Sequence, residues 1–246
     1  SDYLLTRRSQ VQVSPPPPVR TPETQGFPVP NLLLLLLDDD EGRVALGIRV
    51  GGEVDLALAG AVLAELSLAG VADITDSDRA FRSARVTVEN ADTVTDPVLQ
   101  NAVAIIAEED RSAKQLIPKL TKGLRQTLQE RLADAGILEP KEDSFLSVFQ
   151  RTRWPAVDSA HEAEVRSALG AVLLDGETPD PRTGVLVALL NELGQAQKVI
   201  TRDGVPPKTV KKRAADIAEG NWAADAVKKA LQAVKVPGAL AGAGIT

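Results

Sequence analysis

Residues 55–70, DLALAGAVLAELSLAG, carry a single charge, Glu65, between Asp55 and Gly70. A helix that is apolar all round is stable only when buried on every side. This stretch therefore demands a shell of further elements around it. A chain of 246 residues is long enough to supply one. Asp55 is placed to cap the start of the helix and Gly70 to end it. Glu65 reads as a buried carboxylate satisfied by an arginine or a backbone amide. A second apolar run, the leucines at 32–37, is followed at once by DDDEG. Six leucines fall far short of the ~20 apolar residues a bilayer crossing needs. The run reads as core, and the acidic residues as the solvated turn that closes it.

Aromatics make up only 3% of the chain, so Leu, Val and Ala must build the core, and they suit helices more than strands. There is no cysteine, which excludes disulfides, thiolate metal sites and thiol nucleophiles. A zinc site or a histidine-based triad would rest on His161 alone, and its setting, DSAHEAE, reads as an exposed helix. GIRVGG lacks the lysine and Ser/Thr of a phosphate loop. Asp38, Asp39 and Asp40 lack the alternating pattern of an EF-hand. No enzyme, catalytic residue, metal or cofactor is expected. The net charge of −6 disfavours a uniformly basic nucleic-acid binder.

Proline repeats in SPPPPVRTPETQGFPVP make residues 1–30 a flexible tail. Residues 31–235 form the ordered domain, and 236–246 a second flexible tail. VALGIRVGGEV reads as a short strand with a glycine turn. VADITD and FRSARVTVEN alternate in the β sense and suit a small hairpin or a sheet edge. Asp96 and Pro97 begin a helix as cap and first residue. Residues 113–136 are helical with a break at Pro118. Residues 137–155 form a second hairpin around EPKED. Helices are predicted at 158–175, 180–199, 206–219 and 221–234. The fold class is mostly α, a single helical domain with one or two short β-hairpins.

From Arg111 to Arg131 six basic residues face one acid, Glu130, inside a net-acidic chain. Ile117, Leu120, Leu124, Leu128 and Leu132 recur at helical spacing and define a buried stripe. Lys119, Lys122 and Arg125 step by three, which on one helix makes a ridge facing away from those leucines. Arg153 and Trp154 follow the second hairpin. Within it Phe145 and Phe149 fall on one face, and Leu146 and Val148 on the other. Cations attract anionic head groups, at about 1 kcal/mol each near the surface, while apolar tips and tryptophan settle at the interface. The same helix and hairpin would suit a winged-helix nucleic-acid binder.

NLLLLLLDDDEGR resembles the opening of the Golgi phosphoprotein 3 family, a leucine run followed by an acidic turn and glycine. Glu65, Leu66, Leu68 and Gly70 resemble the ending of that family's first core helix. LRQTLQERLADAGIL, running into SFLSVF and RTRWP, resembles its basic helix and hairpin. The matches span residues 31 to 235. The alanine- and aspartate-rich composition, with arginine-heavy turns, resembles a bacterial, actinobacterial member. The resemblance implies a central helical bundle wrapped by amphipathic helices. It also implies a non-enzymatic function, since eukaryotic members bind phosphatidylinositol 4-phosphate on Golgi membranes and recruit glycosyltransferases. The family's pair of arginines one turn apart falls on Lys122 and Arg125. Its other arginine falls near Ala59 and its tryptophan near Val50, so both are replaced here; Arg49 could restore one charge.

The resulting expectation is a cytoplasmic protein, peripheral at the inner face of the membrane, that binds phosphatidylinositol 4-phosphate or another anionic phospholipid. Lys122, Arg125, Arg49, Arg153 and Trp154 would hold the head group. Phe145, Leu146, Val148 and Phe149 would enter the membrane or pair with a second copy. Protein clients are a further expected partner class; the alternatives are a protein-interaction module without lipid binding and the nucleic-acid binder, of which the latter is disfavoured. Lys122 and Arg125 are expected to share one anion. Divergence of the two, or pairing with the chain's own carboxylates, would mean that the pocket is not inherited.

Overall fold

The computed structural model describes residues 26–38, 52–75, 85–108, 113–145 and 149–220. Most of the proline-rich tail, the strand expected in VALGIRVGGEV, the helix at 221–234 and the C-terminal tail lie outside these residues. So do Arg49, Leu146 and Val148.

The leucine run is a helix, α1 (Val29–Leu37), entered through Pro28 and Pro30 and buried along its whole length. Proline fits there because the first N–H groups of a helix have no internal acceptor. The apolar segment is helix α2 (Glu53–Leu68), buried around most of its circumference as its composition demands. Its cap is Gly52, and Asp55 sits in the first turn instead, where a carboxylate suits the helix dipole. Gly70, at φ +68°, ends the helix as expected.

Glu65 is buried and satisfied twice. Its Oε2 accepts from the Val29 N–H at 3.0 Å, and its Oε1 accepts from Arg182 Nη2 at 2.5 Å. One carboxylate therefore ties α2 to the start of α1 and to α7 (Pro181–Glu192).

The α1–α2 pair forms the centre. Helices α3 (Pro97–Ala107), α4 (Ala113–Leu120) and α5 (Leu124–Asp134) pack on α2, and α5 also on α1. On other faces α6 (Ala160–Leu173) and α7 pack on α1, with α7 also against α2. Helix α9 (Pro207–Glu219) packs on α7, beside the short α8 (Ala196–Val199). The chain is mostly α, as its residue types require. The helix expected at 180–199 is two, because Gly194 at φ +63° closes α7 and Gln195 N–H reaches back to the Leu190 carbonyl.

Two antiparallel hairpins complete the described fold. Strands β1 (Ala72–Thr75) and β2 (Arg85–Val88) pair Ala72 with Val88, as the alternation predicts. Strands β3 (Lys141–Phe145) and β4 (Phe149–Arg153) pair Lys141 with Arg153 and Phe145 with Phe149. The second hairpin thus pairs 141–145 with 149–153, and EPKED is not its turn. Pro140 lies just before the first strand, where no ladder N–H is asked of it, so it does not mark the turn.

Candidate anion-binding surface

The basic stretch is not one helix. Pro118 lies inside α4, and the break comes later, at 121–123. Gly123 adopts φ +73°, a backbone conformation that closes one helix and opens the next. The Thr121 hydroxyl donates to the Pro118 carbonyl at 3.0 Å, and the Lys122 N–H donates to the Lys119 carbonyl at 3.3 Å. Lys122 therefore projects from a tight turn, and the continuous ridge expected from the spacing of three does not form. Lys119 is half-buried near the end of α4, Lys122 is exposed, and Arg125 is half-buried in the first turn of α5.

Among the described residues neither Lys119 nor Lys122 has an ion-pair partner. Arg125 does: its Nη2 donates to Asp38 Oδ1 at 2.7 Å. The Asp38 side chain is 7% exposed and that of Arg125 26%. Gln129 Nε2 approaches the other Asp38 oxygen at 3.5 Å. Asp38 is not the solvated turn residue that the acidic run predicts. Its place one residue past α1, against α5, makes it a buried counter-ion instead.

A second polar tie joins the same helices. Arg131 donates to Asn31 Oδ1 at 3.1 Å and pairs with Asp96 at 2.7 Å. Asp96 also caps α3 as predicted, accepting from the Val98 and Leu99 N–H groups at 2.9 and 3.0 Å. Asn31 and Asp38 lie seven residues apart, on one face of α1. Arg125 and Arg131 meet them from α5, with Leu128 and Leu132 fully buried in the same helix. Two of the local cations are thus used to dock α5. Sequence spacing could mark Asp38 and Asn31 as one face of α1, but not which helix that face would meet.

The second hairpin starts from the end of α5 opposite Lys122. Its base is set by the Leu138–Ala156 bridge and by the Glu139 N–H to the Pro155 carbonyl, just beyond the C-terminal end of α5. Lys122 precedes the other end of that helix, about 16 Å away along its axis. Arg153 is half-buried at the end of β4, and Trp154 packs partly against the core. Phe145 and Phe149 are direct cross-strand partners, which places them on one face as expected. His161 is not fully exposed: its ring meets Phe27 edge-on at 6.1 Å, and Nδ1 lies 3.6 Å from Asp158. Ala59, at the position of the family's other arginine, is sealed inside α2 with no exposed surface.

The family model described as Golgi phosphoprotein 3 (GPP34) matches residues 30–234. The chain belongs to the Golgi phosphoprotein 3 family. A search of curated proteins finds no match. Within this family member, the residues carried over as a basic pair, Lys122 and Arg125, flank the Gly123 turn. They are in unequal states, since Lys122 is open to solvent and Arg125 is held by Asp38. No helix among the described residues is long and apolar enough to cross a membrane.

Proposed function

We propose that this Golgi phosphoprotein 3 family member is a non-enzymatic peripheral membrane protein. It binds phosphatidylinositol 4-phosphate or another anionic head group at the joint between α4 and α5. The observation that carries this reading is the exposed Lys122, without an ion-pair partner among the described residues, beside Gly123, with Lys119 and Arg125 on either side. A turn centred on glycine lets a multi-oxygen anion approach the backbone closely, and lysine supplies charge-assisted donors.

Arg125 contributes in full only when an anion competes with Asp38 for its guanidinium. Family membership supports this reading, and so does the position of Lys122 and Arg125 in the family's basic helix. Among residues whose side chains are described, Val157 is the one large apolar residue that is exposed. Charge therefore carries the contact made by the described surface, and the contact weakens with salt. Arg49, Arg153, Trp154, Phe145, Leu146, Val148 and Phe149 belong to the same proposal as auxiliary contacts, with the hairpin also available for self-association or a protein client.

Liposome flotation with phosphatidylinositol 4-phosphate, with phosphatidylserine and with neutral lipid tests the reading. Wild type should float with at least one anionic composition at low salt. Lys122→Ala with Arg125→Ala should lose most of that binding, and Asp38→Asn should gain about threefold or more by releasing Arg125. Equal binding by the wild type and the double variant would show that Arg125 serves only to dock α5 and that the pocket is not inherited.

A further inference from the structure

A cleft of about 480 Å³ lies between α6 and the chain leaving α8, away from the α4–α5 joint. That volume falls within the range of small-molecule sites. Gly170 lies on its floor, near the C-terminal end of α6. Glycine inside a helix costs roughly 1 kcal/mol relative to alanine. Nothing in the backbone demands it here, because Gly170 is not a positive-φ position. Close packing does not demand it either, since a Cβ built there would meet no atom within 4 Å, although the residue itself is buried. What glycine provides is depth. Leu174 and Ile200 make the walls beside it apolar.

The rim is polar. Arg166 is fixed in place, paired with Glu162 and donating to the Val199 carbonyl across the cleft. Arg202 meets Asp175 with both terminal nitrogens, at 2.5 and 3.1 Å. That hydrogen bond holds the Asp175 carboxyl below the usual aspartate range. Both partners are about half exposed, so the pair itself contributes little to stability and a competitor can replace it. Arg202 in this geometry already displays its preference for a planar, two-oxygen acceptor. The Ser167 and Thr201 hydroxyls, also on the rim, make no side-chain hydrogen bond among the described residues and add two further donors.

We propose that this cleft is a second ligand site, which takes a small organic acid: a carboxylate exchanged for Asp175 on Arg202, with a short apolar body laid against Gly170. The site is independent of the lipid reading. Titration of the full ¹⁵N-labelled chain with hexanoate, and in parallel with hexylamine, tests it by NMR. Hexanoate should give saturable shifts at the Gly170, Thr201 and Arg202 amides, with a Kd on the order of millimolar for so small a ligand. Hexylamine should give none. Gly170→Leu should abolish the shifts by filling the floor, Arg202→Gln should weaken binding about tenfold, and Asp175→Asn should strengthen it. If Gly170→Leu fails to fold, Arg202→Gln and Asp175→Asn still give opposite predictions. Lys122→Ala with Arg125→Ala should titrate like wild type. Absence of saturable shifts at roughly 50 mM hexanoate, or equal shifts with hexylamine, would overturn the proposal.

Discussion

Glu65 shows how much one side chain can hold together. Its carboxylate accepts from a backbone N–H of α1 and from Arg182 of α7, while itself lying inside α2. Removing it strands a buried N–H and takes from the Arg182 guanidinium its carboxylate on α2. Part of the Arg182 loss is recovered by water, because its side chain is 45% exposed. Glu65→Ala should destabilise the fold by about 2–3 kcal/mol, read from urea denaturation. A loss within ~0.5 kcal/mol of zero would mean that water replaces both contacts. Asp38 is the contrasting case. It stabilises the docking of α5 and at the same time withholds Arg125 from an external anion. On the proposed reading, a single carboxylate would set structure against anion affinity.

At the scale of elements, the α4–α5 joint matters most. The leucine pattern runs through it without interruption, yet the backbone changes direction at Gly123. A β-branched residue there meets a left-handed conformation that costs on the order of 1–2 kcal/mol. Gly123→Val should lower stability by about that amount and should also move Lys122 relative to Arg125. Thermal melting checks the first effect, and flotation on anionic liposomes the second. Gly123→Asn, which tolerates the left-handed region better, should sit between wild type and valine in both measurements. If valine were neutral in both, the turn would not depend on glycine. The β3–β4 hairpin illustrates a different ambiguity. Pro140 and the charges after it look like a turn to any local rule, and only strand pairing with 149–153 decides that 141–143 belong to the ladder.

At the scale of the whole molecule, α1 and α2 form a centre on which the other helices depend. Leu58 is fully buried in α2, the helix that meets α1, α7 and the α3–α5 layer. Leu58→Ala should cost about 2–5 kcal/mol, and the loss should appear as one shifted cooperative transition by circular dichroism and by tryptophan fluorescence alike. Separate transitions for the two probes would show that part of the shell unfolds independently of this centre. The α4–α5 joint and the α6–α8 cleft lie on different parts of the shell around the same centre. Occupation of one therefore need not exclude occupation of the other.

Sequence alone determined the helical class, the burial of the leucine run and of α2, the Asp96–Pro97 start of α3 and the need of Glu65 for a buried partner; that an arginine and a backbone N–H both serve was decided by the fold. The features that sequence determined follow from composition, periodicity and capping, which act over a few residues. Sequence also placed the family, through the order of motifs along the chain. Tertiary structure alone decided what happens to each charge. Lys122 and Arg125 look equivalent in a pattern of threes, but one projects from a turn and the other meets an aspartate 87 positions earlier in the chain. Arg131 is committed in the same way to Asn31 and Asp96. Burial is legible locally because an apolar face must be covered by something. Pairing is not, because a guanidinium accepts any carboxylate that the fold brings within reach, and only the packing of α1 against α5 determines which one arrives.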